Sequence, residues 1–129
     1  MDSLLDESCM DSDVISVDGD EIIQLTNTIV GVIYYYVSYS FFIYKFKRRF
    51  FQLKGNTFDT WNVNKLHKTC KRIKNLKKYN GIYKDKEIVN KKLYYTITIY
   101  NYFKSKTYYS TNKEGLDILY NELVRIINN

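Results

Sequence analysis

This chain of 129 residues is poor in the residue types on which several classes of protein depend. It has no proline, five glycines, two cysteines and one histidine. With a single histidine, no nucleophile motif and no glycine-rich phosphate loop before a helix, we expect a protein that is not an enzyme and has no small-molecule substrate. His67 and Cys70 would supply only half of a metal site, so we expect no metal and no cofactor.

The two cysteines, Cys9 and Cys70, lie far apart in the sequence. This spacing gives no disulfide framework and favours a reducing compartment. The first residues, MDSLLDESCMD, lack the basic region of a secretory signal and the glycine that myristoylation requires. We therefore expect a cytoplasmic protein, and the sequence leaves open whether Cys9 is acylated.

Acidic and basic residues are segregated along the chain. Residues 1–21 contain eight of the 14 acids and no base, whereas all 20 lysines and arginines lie from Lys45 onward. Residues 22–129 thus hold 20 bases and six acids, a net charge of +14. We predict an acidic, disordered leader at residues 1–21 and one basic domain at residues 22–129. Such a domain attracts phosphates, anionic lipid or acidic protein.

Residues 22–44 carry no charge and are followed at once by four positive charges, which is the pattern of a membrane-spanning helix with its cytoplasmic flank. Polar residues shorten the dense apolar part to about 16 residues, fewer than the ~20 that a spanning helix needs. The β-branched residues and tyrosines of this stretch, interrupted by Gly31, favour strands. We therefore predict a tyrosine-rich β pair, with the membrane helix as the rival interpretation.

Other patterns predict further strands. The first pair is expected at residues 29–37 and 41–53, and the Gly55-Asn56-Thr57 turn leads to a third strand at 58–61. Residues 65–78 fit a helix or a strand equally well, and the NGIYKD segment at 80–85 is predicted to be a loop. Alternating apolar residues predict a strand at 93–100, and another follows at 107–110.

The C-terminal segment predicts an amphipathic helix. Thr111 and Glu114 have the spacing of a capping box. Apolar residues then recur at steps of three and four, at Leu116, Leu119, Tyr120, Leu123, Ile126 and Ile127. Because such a stripe must be covered, the helix should cap the open end of a β-sandwich or partly closed barrel. The predicted fold class is mainly β with one helix (α+β).

This layout resembles that of the pleckstrin-homology (PH) family, a seven-stranded bent β-sandwich or barrel capped by a C-terminal amphipathic helix. The resemblance covers about residues 26–127. The segment from Phe46 to Trp61 follows the family's order of an aromatic residue, K-x-R-x-F-x-L, a short turn and an aromatic-rich strand. Gly31 resembles the glycine that often opens the first strand, and residues 108–127 are similar to the family's last strand and helix.

Two positions depart from the family's pattern. Leu119 stands where the last helix usually has a tryptophan, and a tyrosine at position 34, 35 or 36 matches the lysine often found near the end of the first strand. The first change keeps the apolar stripe of the helix. The second removes a positive charge from the region where family members bind phosphates.

The basic residues Lys45, Lys47 and Arg49 recur at every second position, so a strand would place them on one face, with Phe51 and Leu53 continuing that face into the core. The resemblance implies that residues matching Lys47 and Arg49 hold the phosphates of a phosphoinositide headgroup. We therefore predict a non-enzymatic PH-like adaptor, peripherally associated with an anionic membrane surface, whose phosphoinositide-binding residues are Lys45, Lys47 and Arg49. Charges on a solvated strand end are the alternative.

Two other functions compete with this one. The first is a PH-like protein–protein interaction module that binds no lipid. The second is a nucleic-acid-binding protein, because a dense basic segment contains Lys65, Lys68, Lys71, Arg72, Lys74, Lys77 and Lys78. The acidic leader argues against nucleic acid as a partner. We also hypothesise that this leader folds back on the basic domain and competes with anionic ligands.

Overall fold

A computed structural model describes residues 19–62 and 70–129, except the side chain of Tyr39. The described residues form eight antiparallel strands and one long helix. The strands are β1 (Ile22–Gln24), β2 (Thr28–Ser40), β3 (Ile43–Lys54), β4 (Thr57–Asn62), β5 (Cys70–Ile73), β6 (Gly81–Val89), β7 (Lys92–Tyr100) and β8 (Ser105–Ser110). A 3₁₀ turn spans Leu76–Lys78, and helix α1 spans Lys113–Ile127. The predicted fold class, mainly β with one helix, is confirmed.

The strands follow the order β5-β4-β3-β2-β8-β7-β6, and β1 pairs with β2 beside this path. Consecutive strands form long antiparallel pairs within two groups, β1 to β5 and β6 to β8. The two groups are joined between β2 and β8 at one residue pair, Tyr34 and Tyr109. The sheet is therefore an open sandwich of two groups that meet at a narrow seam.

The apolar stripe of α1 is buried in the main core, as its spacing predicts. Leu116, Leu119, Leu123 and Ile126 are at most 3% exposed, and they share one cluster with Ile29, Ile33, Phe51, Leu53, Phe58, Ile97 and Ile99 from the strands. Tyr120 and Ile127 pack against this cluster from its edge. Burial of this stripe is what fixes the helix on the sandwich, since most helical stability in proteins comes from tertiary packing.

The start of α1 differs from the prediction by one residue. Asn112, and not Thr111, is the N-cap, because its side-chain oxygen accepts a hydrogen bond from the amide of Gly115 at 2.9 Å. The hydroxyl of Thr111 instead donates to the carboxylate of Asp20. Asparagine caps a helix as well as threonine does, and the acidic partner of Thr111 comes from a distant part of the chain.

The predicted loop at residues 80–85 is wrong, because these residues begin strand β6. This strand lies at the edge of the sheet and exposes Tyr83 to Ile88 along most of its length. An edge strand carries charged residues that discourage pairing with another chain, so its sequence looks like that of a loop. The ambiguous segment at 65–78 contains β5 and the 3₁₀ turn, and residues 63–69 lie outside the described part.

Residues 22–44 form strands, as predicted, and not a helix. In the described ranges, no helix has the length and apolar character needed to cross a membrane. Cys70 is disulfide-bonded, which corrects the prediction that the cysteines form no disulfide. Cys9 lies outside the described residues, as does most of the predicted leader.

Candidate functional site

The predicted basic face exists on β3. Lys45 is exposed, Lys47 and Arg49 are half-buried, and Phe51 and Leu53 are 1% and 2% exposed. The face thus changes from charged to apolar along a single strand, as the period of two predicts. The structure brings the three predicted site residues together on this face. Their partners across the strand pair on β2 are Val37, Tyr35 and Ile33, respectively.

Arg48, the remaining charge of this segment, points to the opposite face of β3. It forms an ion pair with Asp20 at 3.7 Å and donates a hydrogen bond to the carbonyl of Gly19. Asp20 also accepts a hydrogen bond of 3.0 Å from Tyr34, and burial together with this bond raises the pKa of Tyr34 to about 12. The last residues before β1 are therefore bonded to the domain through charges that take no part in the basic face.

A cavity of about 350 Å³ lies between β2, β4, β5 and β8. We call the end of the sandwich that contains it the open end, and the end covered by α1 the closed end. The lining of the cavity includes Tyr35, Thr60, Lys71, Lys106 and Tyr108. Lys47 stands directly across from Tyr35, so the basic face of β3 flanks the cavity.

The walls of the cavity are aromatic and carry hydroxyl groups. The hydroxyls of Tyr35 and Thr60 are 2.8 Å apart and share a hydrogen bond. The rings of Tyr35 and Tyr108 meet edge to face, with their centroids 5.8 Å apart. Thr107, also in the lining, shares a 2.8 Å hydrogen bond with Thr98. These contacts fix the wall side chains in place, so the cavity has a defined shape before any ligand binds.

Four lysines gather in and beside this cavity, and we call them the lysine cluster: Lys71, Lys78, Lys104 and Lys106. Burial lowers the pKa of Lys106, and the positive charges of Lys104, Lys71 and Lys78 lower it further. Burial and the nearby Lys104 likewise lower the pKa of Lys78. A positive charge disfavours the charged form of a lysine near it, so the four ammonium groups repel one another when all of them are protonated. A bound anion would relieve that repulsion.

Arg72 has a different role from its neighbour Lys71. Its guanidinium donates two hydrogen bonds, of 2.7 and 2.6 Å, to the carboxylate of Asp59, whose side chain is 5% exposed. The hydrogen bond to Asp59 raises the pKa of Arg72. Because alternate residues of a strand face opposite sides, Lys71 and Arg72 of the basic segment proposed for nucleic acid lie on opposite faces of β5. Lys65 and Lys68 of that segment lie outside the described residues.

Comparison with known proteins adds no assignment. No protein-family model matches the chain, and no curated protein matches its sequence. Within residues 19–62 and 70–129, no group of three or more histidine, cysteine, aspartate or glutamate side chains is placed to hold a metal ion.

Sequence analysis did not find the lysine cluster as a unit. Lys71 and Lys78 belong to a run of basic residues, whereas Lys104 directly precedes β8 and Lys106 lies near its start. The spacing of Lys104 and Lys106 is that of two side chains on one face of a strand, which is the only local signal for that pair. Their proximity to Lys71 arises from the meeting of β5 and β8 at the cavity, and no sequence pattern encodes it.

Proposed function

We propose that this protein is a non-enzymatic, PH-like adaptor that associates peripherally with an anionic membrane face by binding phosphorylated lipid headgroups. The headgroup would enter the cavity at the open end. Lys71 and Lys106 would contact its phosphates from the wall, and Lys47 and Arg49 would contact them from the flanking strand. Lysine contributes a compact, mobile charge, and arginine contributes a planar fork that fits phosphate oxygens.

The observation that carries this proposal is the presence of both Lys71 and Lys106 in the lining of one cavity. The influences that shift the pKa of Lys106 are burial and three other lysines, and all of them disfavour its charged form. A ligand with several negative charges would offset these positive charges. The volume of about 350 Å³ lies within the usual range for small-ligand pockets.

The family resemblance supports the same function. Seven strands in one continuous path and a single C-terminal helix agree with the layout that it implies. A tyrosine replaces the family's lysine, and on this proposal other residues of the cavity supply the positive charge that is lost. Tyr35 lines the cavity, and Lys71 and Lys106 place positive charge on other walls of the same space. On this proposal, the phosphate-binding charges have shifted from the first long strand to β5 and β8.

The experiment is a calorimetric titration of the purified protein with inositol trisphosphate, which carries the headgroup chemistry without a bilayer. The double variant Lys71→Met, Lys106→Met keeps the apolar stems and removes two charges. We expect its affinity to fall about 100-fold, since each lost charge-assisted hydrogen bond is worth about tenfold. We expect the double variant Lys47→Ala, Arg49→Ala to lose about tenfold, because those residues flank the cavity.

A matched control removes the same charge from elsewhere. Lys54, the last residue of β3, and Lys91, in the turn between β6 and β7, are both exposed, and the double variant Lys54→Met, Lys91→Met should bind within about twofold of wild type. If this control weakens binding as much as the cavity variant does, the attraction comes from net charge and the pocket proposal is wrong. Wild-type protein that binds no inositol trisphosphate at low salt would also contradict it.

A further inference from the structure

Four aromatic side chains at the open end are almost completely exposed. Phe41 and Phe42 form the turn between β2 and β3 and are 90% and 92% exposed, and Tyr102 and Phe103, between β7 and β8, are 93% and 94% exposed. We call these four residues the aromatic tips. Single exposed apolar residues are common on proteins, but two such pairs in neighbouring turns indicate an interaction surface.

The turn that carries Tyr102 and Phe103 is held in shape by Asn101. The side-chain oxygen of Asn101 accepts hydrogen bonds from the amides of Phe103 and Lys104 at 2.9 and 3.0 Å. Its backbone amide donates to the carbonyl of Lys104 at 2.9 Å, and its side-chain nitrogen donates to the carbonyl of Lys78 at 3.3 Å. The backbone of the turn that carries the two rings is therefore held by four hydrogen bonds.

The other turn stands out from the body of the domain. Ile43 and Tyr44, which follow the turn, are 53% and 61% exposed, and the ring centroids of Phe41 and Phe42 lie 6.2 Å apart. Strand β2 runs antiparallel to β8 through the pair Tyr34 and Tyr109. The end of β2 and the start of β8 therefore lie at the same end of the sheet. Both pairs of aromatic residues thus belong to the open end.

Positive charge surrounds the aromatic tips. Lys104 follows Phe103 directly, Lys45 begins the basic face just after the first turn, and Lys106 lies in the cavity. Residues 22–58 and 88–113, which contain both turns, include no aspartate or glutamate. An anionic bilayer has the complementary arrangement, with negative headgroups above an apolar interior. A protein partner would need matching apolar sockets for two separate turns together with an acidic surface.

We propose that the aromatic tips insert into the boundary between headgroups and acyl chains of an anionic bilayer, beside the headgroup held in the cavity. The part about the held headgroup rests on the proposed function, whereas the insertion does not. Phenylalanine and tyrosine side chains favour this boundary, and lysines beside them are attracted to the anionic surface. Two apolar anchors and one headgroup contact would fix the orientation of the domain on the membrane.

The test uses vesicles of phosphatidylcholine with about 20% phosphatidylserine at ~0.5 M salt, where the Debye length is about 4 Å and surface attraction is screened. Two double variants, Phe41→Ser, Phe42→Ser and Tyr102→Ser, Phe103→Ser, should each bind these vesicles about 100-fold more weakly than wild type, about tenfold for each aromatic removed. Both should bind inositol trisphosphate with wild-type affinity. The matched control Ile88→Ser, Leu93→Ser removes exposed apolar residues near the opposite end of β7 and should bind vesicles like wild type.

A second measurement reports insertion directly. In a Phe103→Trp variant, the new indole should shift its emission to the blue on vesicle binding and be quenched by lipids brominated on the acyl chain. The native Trp61 is 7% exposed and gives the background.

Tip variants that bind vesicles like wild type would overturn the insertion and leave a protein partner as the occupant of the tips. An indole at position 103 that stays unquenched on bound vesicles would overturn it equally. Wild type that binds vesicles but not inositol trisphosphate would instead reject only the headgroup pocket.

Discussion

The closed and open ends of the domain are built from the same strands but from opposite kinds of side chain. On β3, Phe51 and Leu53 join the core, whereas Lys45, on the same face, is exposed. On β8, Tyr108 is 6% exposed, whereas Lys106 lies half-buried among other lysines. The difference follows from α1, whose apolar stripe covers one end and leaves the other uncovered. The apolar core that stabilises the fold therefore lies at the closed end, and the open end carries the exposed and half-buried charges of β3 and β8.

The greatest loss of stability is expected from a substitution at the closed end. Leu119 is fully buried in the stripe of α1, so Leu119→Ala should lower the free energy of unfolding by about 3 kcal/mol through lost burial and a residual cavity. Urea unfolding followed by circular dichroism measures this loss. Phe103→Ala at the open end should change stability by less than about 0.5 kcal/mol. Equal losses for the two variants would show that the two ends do not divide stability as described.

A smaller loss is expected for the ion pair of Asp59 and Arg72. Arg72→Met should cost about 2 kcal/mol, because it leaves a buried carboxylate without the guanidinium that donates to it. The double variant Asp59→Leu, Arg72→Met should recover most of that loss, since an apolar pair of similar size needs no compensation. A double variant as unstable as the single one would indicate that packing, and not charge, is what Arg72 provides.

A substitution in the lysine cluster is expected to raise stability and not to lower it. Without ligand, Lys106→Met should raise the free energy of unfolding by about 0.5–1 kcal/mol at pH 7, because it removes a charge that burial and three lysines disfavour. The folded-state pKa of Lys106 lies below its unfolded value of 10.5. Protonated Lys106 therefore costs stability at pH values below its folded pKa, and this cost disappears as the pH rises through the folded pKa towards the unfolded one. The gap between variant and wild type should close in alkaline buffer, and a variant less stable than wild type at pH 7 would contradict the repulsion.

The smallest effect concerns Tyr79, which is 1% exposed and whose hydroxyl has no hydrogen-bond partner in the described part of the chain. Tyr79→Phe removes this buried polar group and should leave stability unchanged or raise it by up to ~1 kcal/mol. Tyr35→Phe, which breaks the bond to Thr60, should lower stability by about 1 kcal/mol. Thermal unfolding of both variants distinguishes a buried hydroxyl without a hydrogen bond from one that has a partner. A greater loss of stability for Tyr79→Phe than for Tyr35→Phe would mean that the Tyr79 hydroxyl is hydrogen-bonded.

Sequence patterns predicted the parts of this fold that depend on local periodicity. The face of β3 and the stripe of α1 are each encoded within a dozen or so residues, and both are confirmed. The edge strand β6 was missed because its exposed residues lack an apolar alternation. The lysine cluster was missed for a different reason, since Lys71 and Lys106 are separated by 35 residues and meet only through the topology of the sheet. Predicting that site required knowing which strands are neighbours.

The seam between β2 and β8 has a mechanical consequence for the cavity beside it. Long ladders of hydrogen bonds stiffen each group of strands, whereas the two groups share one residue pair. We therefore expect the strand pairing between the two groups to break more easily than the longer pairing within either group. A ligand that contacts Lys71 on one group and Lys106 on the other would hold the two groups of strands together. Its binding should slow amide hydrogen exchange along β8 more than along β7, where the ladder to β6 is already continuous.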